Sequence, residues 1–118
     1  MTALLIGVCG GLGAVARFTV DTFVQSRRLS EFPLGTYVVN IGGCFLLGVL
    51  AGLHTSHRAM LVLGVATVGS YTTFSTWMLE THRPAQDGDR RMVSQNLLAS
   101  VVGGLAAVVL GRLLGGAL

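Results

Sequence analysis

The sequence predicts an all-α integral membrane protein: four transmembrane helices in a single domain, 1–118, with the third helix broken near its middle. Three observations carry that prediction. The chain is 52% hydrophobic and 11% charged, against roughly 25% charged residues in an ordinary soluble domain. Its charge-free runs Phe32–Leu53, Ala59–Leu79 and Met92–Gly111 hold 22, 21 and 20 residues, enough to cross a hydrocarbon layer about 30 Å thick. The stretch Gly64–Glu80, GVATVGSYTTFSTWMLE, is rich in Ser and Thr with no interior charge.

The expected spans are roughly 2–24, 33–53, 59–79 and 93–113. The first begins with the uncharged run Met1–Ala16 and reaches Val24 by including Arg17 and Asp21, which lie four apart and can pair on one helical face. No basic residue precedes the run and no clear small-residue cleavage site ends it, so it reads as a span rather than a signal peptide. The second, FPLGTYVVNIGGCFLLG from Phe32 to Gly48, places Asn40 in otherwise apolar sequence. In the third, β-branched and hydroxyl residues between Gly69 and Trp77 compete with the helical ladder, which predicts a local break. Carbonyls freed there need a partner, and a monovalent cation is one candidate. The fourth carries Asn96 and Ser100, four apart.

The connections are roughly Gln25–Glu31, His54–Arg58 and Glu80–Arg91, and the last, with Pro84, Asp87, Gly88 and Asp89, reads as the solvated one. All eight basic residues are arginines. Arg27, Arg28, Arg83, Arg90 and Arg91 fall on the side of the first and third loops, against Arg58 and Arg112 opposite. That bias predicts cytoplasmic first and third loops and outside termini. No basic patch suggests nucleic-acid binding. Cys9 and Cys44 lie inside spans without metal-ligand spacing and read as small buried residues. The pairs Gly7/Gly11, Gly48/Gly52 and Gly111/Gly115 show the four-residue spacing that lets membrane helices approach closely. So small a chain is expected to associate within the bilayer.

The polar residues form stripes. Thr36, Asn40, Gly43 and Leu47 share one face of the second helix; Phe74 and Trp77 share a face of the third, beside Thr73 and Thr76. No acidic residue sits mid-span, which argues against a cation path and against the membrane carboxylate a small multidrug transporter needs; Asp21 and Glu80 lie near span ends. Nor is this an enzyme, since His54, His57 and His82 are in loops and no nucleophile–base pair is visible. Amides, hydroxyls and ring edges can together replace the water shell of a small anion. The blander reading stays open: Asn40 as a helix–helix clamp, Ser and Thr bonded back to their own helix, Phe74 and Trp77 as packing anchors.

Three blocks, GGLGAVARF (Gly10–Phe18), FPLGTYVVNIGGCFLLG (Phe32–Gly48) and GSYTTFSTW (Gly69–Trp77), resemble the CrcB/Fluc family of fluoride channels over nearly the whole chain. The resemblance implies passive export of fluoride by an antiparallel dimer in the cell membrane, with two pores at the interface. It also implies a structural sodium ion at the dimer centre, held by the main-chain carbonyls of Gly69 and Thr72. Asn40, Phe74, Ser75, Thr76 and Ser100 become pore residues, and Arg17 a structural one. Trp77 stands where the family has a second phenylalanine, and Asn96 where it often has tyrosine. The partner is a second copy or a homologous subunit. A non-conducting or half-degraded partner subunit is the alternative reading.

Overall fold

Glycine sets the tightest packing in the molecule. A computed structural model describes residues 1–27 and 30–118, so the Arg28 included in the arginine bias lies outside the described residues. Helix α1 (Thr2–Arg27) is followed by α2 (Leu34–Gly52). The third span comprises a short turn α3 (His57–Ala59), a π-helical stretch (Met60–Val68), a further turn α4 (Gly69–Tyr71) and α5 (Phe74–Gln86). Helix α6 (Arg90–Ala117) completes the chain. Four helical units, Thr2–Arg27, Leu34–Gly52, His57–Gln86 and Arg90–Ala117, are long and apolar enough to cross a membrane, and the third is broken. This is a multi-pass membrane protein.

The main packing is between α2 and α6. A Cβ on Gly48 would strike the backbone of Val108, and one on Gly111 the backbone of Phe45; Gly52 and Gly115 are equally crowded. Two of the expected glycine pairs therefore pack against each other. The third does not: Gly7 and Gly11 meet nothing within 4 Å. On α1 that close approach falls to Gly13, whose Cβ would meet the Thr67 backbone of the π-helical stretch.

Few apolar side chains are fully enclosed; among the described residues they are Val39, Ala66, Val68 and Ala107. Large ones such as Leu4, Phe18, Val65, Leu98 and Leu105 point outward. A water-soluble protein would hide them, whereas a bilayer solvates them, so helix association rests on close packing and hydrogen bonds.

Two features of the third span depart from a plain helix. Along Met60–Val68 the ladder widens, and the Thr67 hydroxyl donates to the Val62 carbonyl five residues back, over 2.8 Å. At Thr72 and Thr73 the backbone turns extended (φ −78°, ψ 162° and φ −144°, ψ 122°). The helix then restarts at Phe74 with Thr73 as its cap, the Thr76 N–H donating to Thr73 Oγ1 over 3.2 Å. It also runs further than the sequence suggested. Glu80–Arg91 is not one solvated loop, because α5 continues to Gln86 and carries Pro84 in its last turn, at the expense of the N–H that would bond the Glu80 carbonyl. The turn is confined to 87–89, with Gly88 at φ 78° and Asp89 capping α6.

Candidate functional site

The break in the third span organises everything polar around it. In an unbroken helix the Thr73 N–H would bond the Gly69 carbonyl, and the Thr76 N–H the Thr72 carbonyl. Here the Thr73 N–H donates to Asn40 Oδ1 over 2.8 Å, and the Thr76 N–H turns to the Thr73 hydroxyl. The carbonyls of Gly69 and Thr72 are thereby released from the ladder. Gly69 keeps a long contact, 3.4 Å, from the Thr72 hydroxyl, which also reaches the Val68 carbonyl at 3.2 Å.

Asn40 closes the bracket by donating from Nδ2 to the Thr73 carbonyl over 2.9 Å. One side chain on α2 thus satisfies both peptide groups of Thr73 that the break exposes. An amide has two N–H donors, so the second remains for whatever lies alongside.

What lies alongside is an open groove of about 510 Å³, with Asn40, Gly43, Cys44, Gly69, Thr72, Thr73, Phe74, Trp77 and Ser100 in its wall. Among the described residues its wall carries no charged side chain. Phe74 is 70% exposed and meets Trp77 edge-to-face, centroids 5.8 Å apart at 67°. The indole Nε1 of Trp77 is buried and has no hydrogen-bond partner among the described residues.

The residues singled out from sequence separate into three places. Asn40, Phe74, Trp77 and Ser100 converge on the groove, together with the backbone of Gly69 and Thr72. Thr76 instead lines a second cavity of about 200 Å³ on the other side of the break, with Arg17, Asp21, Thr36 and Thr73. Ser75 is exposed, its hydroxyl 3.4 Å from that of Thr73.

The sequence placed Thr73 beside Thr76 but assigned it no site role, although it belongs to both cavities and bonds Asn40. Sequence reasoning passed over Thr81, assigned to a loop but buried on α5 and accepting from Asn96 Nδ2 over 2.9 Å. The signal for Thr73 was its place three residues before Thr76, the spacing of a cap and the N–H it accepts from. Thr36 is 2% exposed, and its buried hydroxyl lies beside the Glu80 carboxylate.

Residues 4–112 match the family described as CrcB-like protein, Camphor Resistance (CrcB). The chain is 54% identical over 114 residues to the "Fluoride-specific ion channel FluC 2" of Mycobacterium tuberculosis (strain ATCC 25618 / H37Rv), covering 93% of this chain and 89% of that one. It is 50% identical over 112 residues to the FluC 2 of Mycolicibacterium paratuberculosis, covering 93% and 92%. Against the "Fluoride-specific ion channel FluC 1" of Symbiobacterium thermophilum it is 42% identical over 121 residues, covering 98% of each.

Proposed function

This chain belongs to the CrcB-like family, and from that premise we propose that it is a fluoride-selective ion channel giving passive export of cytoplasmic fluoride. The observation that carries the reading is the groove itself. An amide, a hydroxyl and two aromatic rings meet there beside a helix break, with no charged side chain in the wall among the described residues. Donors without full charge can replace a small anion's water shell without holding it too tightly to leave. An inside-negative potential drives an anion outward with about 2.3 kcal/mol per 100 mV, so a selective leak needs no energy source.

An open groove on one subunit cannot exclude lipid, so conduction belongs to an antiparallel dimer in which a second subunit covers it. The exposed Phe74 ring at the groove supports this. The mate is a second copy or a homologous chain. The arginine bias and Trp77 are compatible with two different chains as well as with two copies, and relatives numbered FluC 1 and FluC 2 are compatible with such a pairing. In that case one of the two pores at the interface is built from altered residues. The membrane is the cell membrane, with the first and third loops on the cytoplasmic side.

The released carbonyls of Gly69 and Thr72 suit a sodium ion at the dimer centre, since hard oxygen donors free of the ladder are what such a cation needs. When bound, the ion would supply positive charge that compensates those carbonyl dipoles. Arg17, beside the break, would add a fixed charge near the path. Fluoride efflux from liposomes holding this chain alone, then with a homologous mate, tests conduction and self-sufficiency together. Fluoride release in either case supports the channel; silence in both contradicts it.

A further inference from the structure

We propose that Asn96 is a positioning residue that keeps the Ser100 proton available to an anion in the groove, an inference that rests on the channel reading above. The argument comes from the direction of three hydrogen bonds. Thr81 donates its hydroxyl proton to the Trp77 carbonyl over 2.8 Å. A hydroxyl has one proton, so toward Asn96 this oxygen can only accept, and Asn96 Nδ2 donates to it over 2.9 Å. That fixes the amide. Its oxygen must face Ser100, and Ser100 must be the donor, over 3.4 Å.

That last distance sets Ser100 apart. Thr19, Thr81 and Ser94 each give their proton to a backbone carbonyl four residues back at 2.8–2.9 Å. Ser100 sits at the same kind of helical position but is drawn to the Asn96 side chain instead, at the outer limit of hydrogen bonding. A proton held so loosely turns to an anion at small cost. One bonded to its own backbone would have to be pulled away first. Asn96 is 1% exposed and outside the groove wall, so it acts through Ser100 and does not touch the ion.

Without Asn96, Ser100 falls back on its helix carbonyl and ceases to be a ready donor. The role belongs to this chain's own Asn96, Thr81 and Ser100, and it reaches the groove through the hydroxyl of Ser100.

A double-mutant cycle tests this in liposomes that hold the channel in its conducting form. Asn96→Leu, similar in size, should lower fluoride efflux about tenfold or more, the factor for one hydrogen bond to a charged group. In a Ser100→Ala background the same change should cost nothing further, because no hydroxyl is left to position. A merely structural Asn96 gives equal fold losses in both backgrounds, and that result, or unchanged efflux in Asn96→Leu, overturns the proposal. If Asn96→Leu does not assemble, Thr81→Val removes the acceptor that orients the amide; its loss should likewise vanish beside Ser100→Ala, and persistence there overturns the proposal. A wild type that passes no fluoride in any pairing defeats the channel reading and this inference with it. A conducting wild type with additive losses defeats this inference alone.

Discussion

Asn40 and Thr73 are joined by two hydrogen bonds of 2.9 and 2.8 Å, the side-chain amide of one meeting both peptide groups of the other. The pair sits where the third span breaks, 33 residues apart in sequence, and makes the break tolerable in a bilayer. A buried peptide group without a partner costs about 1–3 kcal/mol, and here two share one rescuer.

Asn40→Ala should therefore damage assembly as well as conduction. The expected loss is about 2–5 kcal/mol from two orphaned groups, read as a large fall in the detergent-solubilised unfolding temperature together with lost fluoride efflux. Full stability in the variant would mean that the Thr73 groups find other partners.

At Thr73 the hydroxyl caps α5, so Thr73→Val should cost about 1 kcal/mol of stability while Thr73→Ser costs little. Thermal unfolding of the two variants measures this directly. Equal stability of Val and Ser would remove the cap from the account.

Glycine substitutions should divide by position. Gly111→Ala places a methyl group against the Phe45 backbone and should destabilise the α2–α6 contact by several kcal/mol, whereas Gly7→Ala, which meets nothing within 4 Å, should stay within about 0.5 kcal/mol for the single subunit. A large effect at Gly7 seen only in the assembled dimer would place that face between subunits.

Much of this was legible beforehand. The charge-free runs marked the four helices, and the hydroxyl-rich GSYTTFSTW stretch marked the break, because β-branched and hydroxyl residues are poor at holding the ladder. Asn40 was legible as a polar residue in apolar sequence, and its two readings are not exclusive: it clamps the break and lines the groove. Other features had no local signature. The widened ladder of Met60–Val68 is written in mostly ordinary apolar residues, and it shows in the backbone and in the Thr67–Val62 bond. Thr81 read as loop because polar neighbours and Pro84 surround it, yet docking on Asn96 draws the helix onward. Gly7 and Gly11 carry the right spacing, but spacing alone does not say which face meets a neighbour.

Topology has its own test. With Cys9 and Cys44 replaced, a cysteine at Ser56, beside the turn between the second and third spans, should be labelled from outside only. Labelling from both sides would show that this chain inserts in either orientation, contrary to the arginine bias.

Sodium should matter to assembly. Exchanging it for a large organic cation removes the partner proposed for the Gly69 and Thr72 carbonyls, and the dimer in detergent should weaken by at least about tenfold. Gly69→Ala should leave the fold of the single subunit unchanged, since within it the Cβ meets only the Gly64 carbonyl at 3.9 Å. A dimer indifferent to sodium would remove the ion from the account.

The most direct measurement compares fluoride and chloride efflux from liposomes containing this chain, alone and with a homologous partner. Uncharged donors lining the groove, once a second subunit covers it, predict rapid fluoride release with chloride held back. Equal release of both halides, or of neither in any pairing, would contradict the account.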